Sequence, residues 1–313
     1  MPGNPRAQES GPIVQRQGVP RGAAKRVRCA GRGNPDTVCY TKAVEHRTLV
    51  EAIGRTPLVR VGRTMPKGSA EILLKMEKLN PGGSLRDRVV RFALEQAVRE
   101  DRLAPRGAVV AAAGEDGAWS AAMICAVRAH PLELFMPANT RAERRRAAAR
   151  FGAKVLVVDG TIDEARTAAA ASAKSGGATL LDVESAAVAA RACAEIGVEI
   201  LEATGDVPID AFVATVRSGG TLEGVMGVMH TRYPKMAVHP VRLEGFSRAE
   251  FEGMVDVTRD DARAAAIELA RKEGLLVGPA TGAAFTIGRR LAIAMGAGKR
   301  LVVLASDSGE RYL

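Results

Sequence analysis

The stretch KMEKLNPGGSLRDR, residues 75–88, joins a short apolar run to a long helical pattern. The run AEILLKME, residues 70–77, is typical of a buried strand, whereas SLRDRVVRFALEQAVRED, residues 84–101, has the spacing of an amphipathic helix. The Pro-Gly-Gly of residues 81–83 favours a tight turn between them. The stretch therefore predicts a strand, a sharp turn and a helix, which is the repeating unit of an α/β fold.

The same alternation continues along the chain from residue 48. The predicted strands are AEILLKME (70–77), GAVVAAA (107–113), LELFMP (132–137), AKVLVVD (153–159), ATLLDV (178–183), DAFVATV (210–216), AVHPVRLEG (237–245) and KRLVVLAS (299–306). Strands this apolar, each followed by a helix, belong in parallel sheets covered on both faces, and eight of them predict two doubly wound lobes. We expect a ligand site at the carboxyl ends of the strands, where glycine-rich turns lead into helices at 114–117, 218–221 and 278–282.

Charge is unevenly distributed along the 313 residues, whose formal net charge is +10. Residues 1–47 are rich in Gly, Pro and Arg, cannot bury enough apolar surface to offset chain entropy, and are predicted to be a disordered basic arm. The arm suits an acidic partner. Nucleic acid is disfavoured as its target, because Tyr40 is the sole aromatic residue of the arm that can stack on bases.

Membrane, secretory and metal-binding classes find no support in the sequence. No window approaches the roughly 18 consecutive apolar residues of a membrane span, and the first residues lack the apolar core of a secretory signal, so we expect a cytoplasmic protein. The four cysteines form no CxxC pair, and the four histidines show no metal-ligand spacing. No metal site is predicted.

A family resemblance extends over nearly the whole chain after the arm. The collinear segments are IGRTPLVRV (53–61), KMEKLNPGGSLRDR (75–88), MPANTRAERRRAAARFGAKV (136–155), FVATVRSGGTLEGV (212–225), EGLLVGPATGAA (273–284) and SDSGERYL (306–313). Together they resemble the cysteine synthases and their relative cystathionine β-synthase. The resemblance implies the tryptophan synthase β-like fold of pyridoxal-phosphate enzymes and a homodimer. It also implies a large lobe of residues 48–79 and 159–313 and a small mobile lobe of residues 80–158.

The position of the family's reactive lysine is occupied here by Arg86. Family members attach pyridoxal phosphate through a lysine in a pattern similar to NPGGSxKDR. A Schiff base needs a primary amine that can lose its proton, whereas a guanidinium stays protonated, so covalent attachment at Arg86 is not expected. Lys75 and Lys78 flank the strand and are poor substitutes. Ser84 and Asp87, three residues apart, predict a capping box that serves the fold whether or not the chain catalyses.

Three further turns depart from the family pattern to different degrees. The turn that resembles TSGNTG, which holds the substrate carboxylate and the cofactor ring oxygen, ends here in Gly114, Glu115, Asp116 and Gly117, whose carboxylates would repel both groups. The phosphate loop keeps Ser218, Gly219, Gly220 and Thr221, preceded by Arg217; these glycines serve either an anion or close packing alone. Ala280 and Thr281 stand where the family places a serine against the pyridine nitrogen. Two segments that wall the family's pocket are shortened, near Asp182 and between residues 244 and 260.

These departures fall at positions that contact the cofactor and the substrate in the family, whereas the capping residues and turn glycines that build the scaffold are retained. We therefore predict a catalytically inactive cysteine-synthase homologue, without pyridoxal phosphate. It would act by binding, or as a subunit or regulator beside an active relative in sulfur amino-acid metabolism. Two alternatives remain. The first is an enzyme that binds pyridoxal phosphate or another anion noncovalently and performs altered β-replacement or β-elimination; the second is an adaptor that binds nucleic acid through its basic arm.

A specific contact is expected in the altered cleft. Arg86 and Glu115 occupy positions that face the same cofactor ring in the family. Without a cofactor between them, a partly buried guanidinium and carboxylate each lack a partner unless they meet. A salt bridge between Arg86 and Glu115 is the simplest prediction.

Overall fold

The computed structural model describes residues 45–246 and 249–313, and the predicted basic arm lies almost wholly outside these ranges. Within them the strands are β1 (Leu58–Val61), β2 (Glu71–Lys75), β3 (Val109–Ala112), β4 (Leu132–Pro137), β5 (Lys154–Val158), β6 (Thr179–Leu181), β7 (Ala211–Thr215), β8 (Ala237–Leu243), β9 (Val255–Val257) and β10 (Arg300–Leu304). The helices are α1 (Arg86–Arg99), α2 (Glu115–Val127), α3 (Ala142–Arg150), α4 (Ile162–Gly176), α5 (Ala186–Thr204), α6 (Gly220–Arg232), α7 (Arg259–Glu273) and α8 (Pro279–Met295). All eight predicted strands form, and the α/β fold with two parallel-sheet lobes is confirmed.

The two sheets differ in size and in their edges. The larger has the order β1-β2-β10-β7-β8-β9, in which only β1 runs antiparallel to its neighbour. The smaller has the order β5-β4-β3-β6 and is parallel throughout. Sequence patterning missed β1 and β9, the edge strands of the larger sheet, because they are short and partly exposed and carry no continuous apolar run.

The small lobe extends beyond its predicted boundary at residue 158. Strand β6 pairs with β3 in the smaller sheet, and helix α4, which leads into β6, packs against that sheet. The boundary therefore falls after Leu181, because a sequence cut at the end of β5 separates a strand from its own sheet.

The larger sheet is covered on both faces, as its apolar strands require. Along β10, Leu301 and Val303 belong to one buried cluster, while Val302 and Leu304 belong to another on the opposite face. This alternation follows the two-residue period of a strand. The central strand is thereby fixed in register, and so is the turn that follows it.

A buried ionic cluster anchors α1 to the larger lobe. Arg88 is fully buried and its guanidinium donates to Glu77 at 2.7 and 2.9 Å and to Glu199 at 2.7 and 2.8 Å. Lys75, also fully buried, donates to Glu199 and to Thr56. Burial alone would raise the pKa of Glu199, but hydrogen bonds from Arg88 and Lys75 outweigh it and lower that pKa to about 2. These ion pairs therefore fix the first turn of α1 against the larger lobe.

Candidate functional site

The turns singled out in the sequence lie at one edge of the two sheets. Helices α1, α2 and α6 begin shortly after the carboxyl ends of β2, β3 and β7, and the turn after β10 meets the start of α8, where the backbone of Gly278 donates to the carbonyl of Asp307 at 3.1 Å. Leu85 donates in the same way to Ser306 at 3.0 Å. Parallel strands therefore bring the four predicted turns to one cleft between the lobes.

Arg86 pairs with Glu184, a residue that the sequence did not single out. Its Nη2 donates to Oε1 of Glu184 at 2.9 Å and to the carbonyl of Val183 at 2.6 Å. Arg217, before α6, lies 3.6 Å from the other oxygen of the same carboxylate. The Glu184 side chain is only 2% exposed, and that of Arg86 is 12% exposed. One buried carboxylate, which follows β6 of the smaller sheet, thus joins two guanidinium groups that follow β2 and β7 of the larger sheet.

The predicted salt bridge between Arg86 and Glu115 is wrong. Glu115, the first residue of α2, lies instead 3.2 Å from Arg141 and 3.4 Å from Arg144, at the start of α3. Arg86 does lie against the α2 turn, because a Cβ added to Gly117 would be 3.4 Å from its Nε. Arg86 pairs with Glu184 instead, and Glu115 pairs with Arg141 and Arg144. These partners lie in other segments of the chain.

The predicted capping box at α1 is also wrong in detail. The Ser84 hydroxyl accepts from the backbone of Arg86 at 2.9 Å, but the Asp87 carboxylate accepts from Gly82 and from the Ser120 hydroxyl. Burial raises the pKa of Asp87 to about 6, against the lowering effect of these hydrogen bonds. Asp87 therefore fastens the turn of residues 81–83 rather than the first helical NH groups.

The glycines of the phosphate loop are closely packed. Gly219 has φ of +90° and caps α6, and a Cβ on it would lie 2.7 Å from the ring of Phe251. A Cβ on Gly220 would lie 2.0 Å from the carbonyl oxygen of Ala186 in α5. The Thr221 hydroxyl lies 3.6 Å from the sulfur of Cys193. Close packing alone accounts for both glycines, which was one of the two explanations that the sequence left open.

The remaining predicted positions lie at the start of α8. Ala280 offers its carbonyl to the Thr215 hydroxyl at 2.5 Å. Thr281 is fully buried, and its hydroxyl donates to Asp307 at 3.3 Å. Tyr312 donates to the other oxygen of Asp307 at 2.7 Å. Burial raises the pKa of Asp307 to about 6. The Thr281 hydroxyl, which was the candidate partner of the pyridine nitrogen, is instead hydrogen-bonded to this carboxyl group.

The two lysines near Arg86 in sequence are engaged elsewhere. Lys75 lies within the buried ionic cluster, and Lys78 donates to the carbonyl of Leu276 at 2.7 Å. Both amines hold structural hydrogen bonds, so neither substitutes for the missing lysine in this arrangement.

A C-terminal segment, residues 309–313, bridges the lobes. The Arg311 guanidinium pairs with Asp116 in α2 and lies 5.4 Å from the centre of the Trp119 ring. Arg141, before α3, donates to the carbonyl of Arg311 and lies over the Tyr312 ring. Asp116, expected to repel a substrate, is therefore neutralised by a residue that reaches across from the large lobe.

Metal-binding clusters and membrane-spanning helices are both absent from the described residues. No cluster of three or more histidine, cysteine or acidic side chains in residues 45–246 and 249–313 has the arrangement of a metal site. In the same part of the chain, no helix combines the length and the apolar character that crossing a membrane requires.

Comparison with known proteins identifies the class of this fold and cleft. A family model described as "Pyridoxal-phosphate dependent enzyme" matches residues 49–253, and the chain belongs to that family. Within the family it is similar to the cysteine synthases. Cysteine synthase of Staphylococcus aureus (strain N315) is 28% identical over 295 residues, covering 85% of this chain and 94% of the relative. Cysteine synthase B of Escherichia coli (strain K12) is 29% identical over 287 residues, with the same coverage of the two chains.

Solved structures give the same fold. The O-acetylserine dependent cystathionine β-synthase of Helicobacter pylori superposes with a TM-score of 0.78 at 22% identity, covering 87% of this chain and 98% of that one. O-ureido-L-serine synthase gives a TM-score of 0.79 at 24% identity, covering 86% and 94%. The predicted membership of the cysteine synthase and cystathionine β-synthase group is confirmed by the sequence relatives, and its fold by these structures.

Proposed function

We propose that this chain is a catalytically inactive cysteine-synthase homologue that acts by binding, as a subunit or regulator in sulfur amino-acid metabolism. The observation that carries the proposal is the contact between Arg86 and Glu184, 2.9 Å apart in the cleft. A guanidinium at the Schiff-base position has no nucleophilic amine, and here it is also committed to a buried carboxylate.

The residues of this cleft do not fit covalently bound pyridoxal phosphate. The lysine is absent, the Thr281 hydroxyl is bonded to Asp307, and the Phe251 ring packs against Gly219 of the phosphate loop. Glu115 adds a carboxylate where the family has an uncharged amide. We therefore derive no reaction step through the cofactor, and a homodimer and a cytoplasmic location stay predictions from the resemblance and the sequence.

The alternative of a noncovalent ligand has one observation in its favour. Gly219 and Gly220 still lead into α6, and Arg217 lies beside them, so a helix start and a cation adjoin the cleft. The same Arg217 already neutralises Glu184, which weakens that alternative. Nucleic-acid binding through the basic arm concerns residues outside those described.

Spectroscopy and activity assays test the proposal directly. Purified full-length chain, incubated with pyridoxal phosphate and treated with borohydride, should contain no pyridoxyl-lysine in the peptide that includes residue 86. It should form no cysteine from O-acetylserine and sulfide above a blank without protein. Turnover well above that blank would refute the proposal.

Two variants separate the loss of the lysine from the change of the whole cleft. We expect Arg86→Lys to remain inactive, because Glu184 would pair with the new ammonium and hold it protonated. Arg86→Lys combined with Glu184→Gln removes that carboxylate and should allow a reducible adduct to form at residue 86. Arg91→Lys, which places a lysine further along α1 at a residue that pairs with Glu195, is the matched control for nonspecific labelling. Cysteine formation by Arg86→Lys alone would show that the cleft is intact apart from one residue.

A further inference from the structure

The C-terminal segment, residues 309–313, has contacts on both sides of the boundary between the lobes. On the side of the larger lobe, the Tyr312 hydroxyl donates to Asp307, which follows β10, at 2.7 Å. On the side of the smaller lobe, the Arg311 guanidinium pairs with Asp116 of α2. The ion pair of Arg311 is therefore a charged contact between the lobes.

Three aspartates from three elements lie around the Arg311 guanidinium. The first is its ion-pair partner in α2. The second is Asp87 of α1, which lies across the turn before that helix. A Cβ on Gly83 would be 2.7 Å from a nitrogen of the guanidinium, and a Cβ on the adjacent Gly82 would collide with the Asp87 carboxyl. The third is Asp307, on which the charge of Arg311 also acts. One guanidinium therefore serves three carboxyl groups.

These groups are largely withdrawn from solvent. Asp87 is 0% exposed and Asp307 is 5% exposed, while the side chain of Arg311 is 10% exposed. With all three aspartates ionised, one positive charge would face three negative charges in a poorly hydrated space. With Asp87 and Asp307 protonated, the remaining ion pair is neutral overall. Burial therefore favours the protonated condition.

The other charged side chains on the elements around this cluster have partners of their own or are exposed. They are Lys78 and Arg86 near the start of α1, Glu115 of α2, Arg141, Glu143 and Arg144 near the start of α3, and Glu310 of the segment itself. Those of α2 and α3 pair with one another, Lys78 donates to a backbone carbonyl, and Arg86 pairs with Glu184. Arg311 remains the cation whose charge acts on both Asp87 and Asp307.

We propose that Arg311 and the three aspartates form a pH-sensitive latch between the lobes, which is closed in acid and released as the pH rises toward neutrality. Release moves the Arg311 side chain away from Asp116 and from the Trp119 ring, whose centre is now 5.4 Å from the guanidinium. Water then reaches the aspartates, and the cleft opens beside α2. The latch does not rest on the proposed function, because it concerns the position of the lobes and not a reaction.

The direction of the switch follows from the two fully buried aspartates. Burial raises the pKa of Asp87 and that of Asp307 from 3.8 to about 6 each, against the lowering effect of their hydrogen bonds and of Arg311. In an open latch, contact with water returns each pKa to its ordinary value. The closed latch is therefore favoured fully below pH 3.8, and the ratio of closed to open latch falls as the pH rises to about 6. The fall is on the order of 100-fold for each aspartate that opening exposes fully.

Hydrogen exchange of the full-length chain measures this ratio directly. Mass spectrometry compares the peptide that contains residues 309–313 at about pH 4.5 and about pH 7, with the intrinsic exchange rates corrected for pH. We expect its protection to be at least about tenfold lower at the higher pH. A peptide from α4 is the internal reference and should keep its protection. Trp119, the single tryptophan of the chain, should be quenched more strongly by acrylamide at the higher pH.

Variants decide whether the aspartates cause the response. Asp307→Asn and Asp87→Asn each remove one titrating group and should reduce the change in protection by a factor of about three or more. Asp206→Asn is the matched control, because this side chain is fully exposed, and it should keep the change seen in the wild type. Arg311→Gln removes the ion pair, so Trp119 should be quenched at low pH at least as strongly as in the wild type at neutral pH. Asp307→Asn and Arg311→Gln keep the test decisive if Asp87→Asn does not fold.

Three results would overturn the proposal. The first is equal or greater protection of the C-terminal segment at the higher pH. The second is a change in protection that Asp307→Asn retains as fully as Asp206→Asn does. The third is unaltered quenching of Trp119 in Arg311→Gln, which would show that the guanidinium does not hold the segment in place. None of these results depends on whether the chain catalyses cysteine formation.

Discussion

Replacing Arg86 by alanine removes a positive charge that offsets the negative charge of the buried Glu184 carboxylate. At 2.9 Å and an effective dielectric constant near 20, the attraction between the two charges is about 6 kcal/mol before desolvation is subtracted. Removal of one partner from a buried pair costs about 3–5 kcal/mol. Arg217, 3.6 Å from the same carboxylate, still offsets part of its negative charge. We therefore expect Arg86→Ala to lower the free energy of unfolding by about 3 kcal/mol.

A double-mutant cycle tests the pairing itself. Urea unfolding of the wild type, Arg86→Ala, Glu184→Ala and the double variant should give a coupling energy above about 1 kcal/mol, because only contacting groups couple strongly. The matched cycle pairs Arg86→Ala with Glu115→Ala and should be additive within about 0.5 kcal/mol. Coupling in the second cycle and additivity in the first would refute the arrangement described for the cleft.

Two further predictions concern the loop before α6 and the carboxyl group under α8. Gly220→Ala drives a methyl group into the Ala186 carbonyl and should lower the free energy of unfolding in urea by more than about 2 kcal/mol. Gly227, on the same helix, has open space where a Cβ would lie, so Gly227→Ala should leave that free energy unchanged or raise it. Equal effects of the two substitutions would exclude the packing explanation. Because burial raises the pKa of Asp307 from 3.8 to about 6, the folded chain holds this proton more tightly than the unfolded chain does. The contribution of this proton to the free energy of unfolding is full below pH 3.8 and is lost as the pH rises to about 6. Asp307→Asn should therefore make the free energy of unfolding, measured in urea, fall less steeply over this pH range. An unchanged dependence on pH would contradict the assignment.

The fold was predictable because its signals are local. Apolar runs followed by helical patterns gave all eight strands that the sequence singled out. The small-lobe boundary failed because β6 joins its sheet through pairing with β3, which sequence order does not reveal. Edge strands β1 and β9 failed because half-exposed runs of three or four residues carry little periodic signal.

The site was predictable in its location but not in its contacts. The glycine-rich turns meet at the strand ends as expected, yet the partners of Arg86 and Glu115 come from segments that no spacing rule connects to them. Glu184 directly follows the predicted strand of residues 178–183, so its place at the same edge was a usable signal. Which carboxylate a given guanidinium selects depends on side-chain packing between lobes, and this information is absent from a single sequence.

The bridge made by Arg311 has a consequence for the order of events during synthesis. Asp116, its partner, is 195 positions earlier in the chain. The last strand of the smaller sheet ends at Leu181, so all four of its strands are translated before Arg311. During that interval the cleft between the lobes lacks its C-terminal bridge, and a molecule that enters then meets a surface that the finished protein no longer presents.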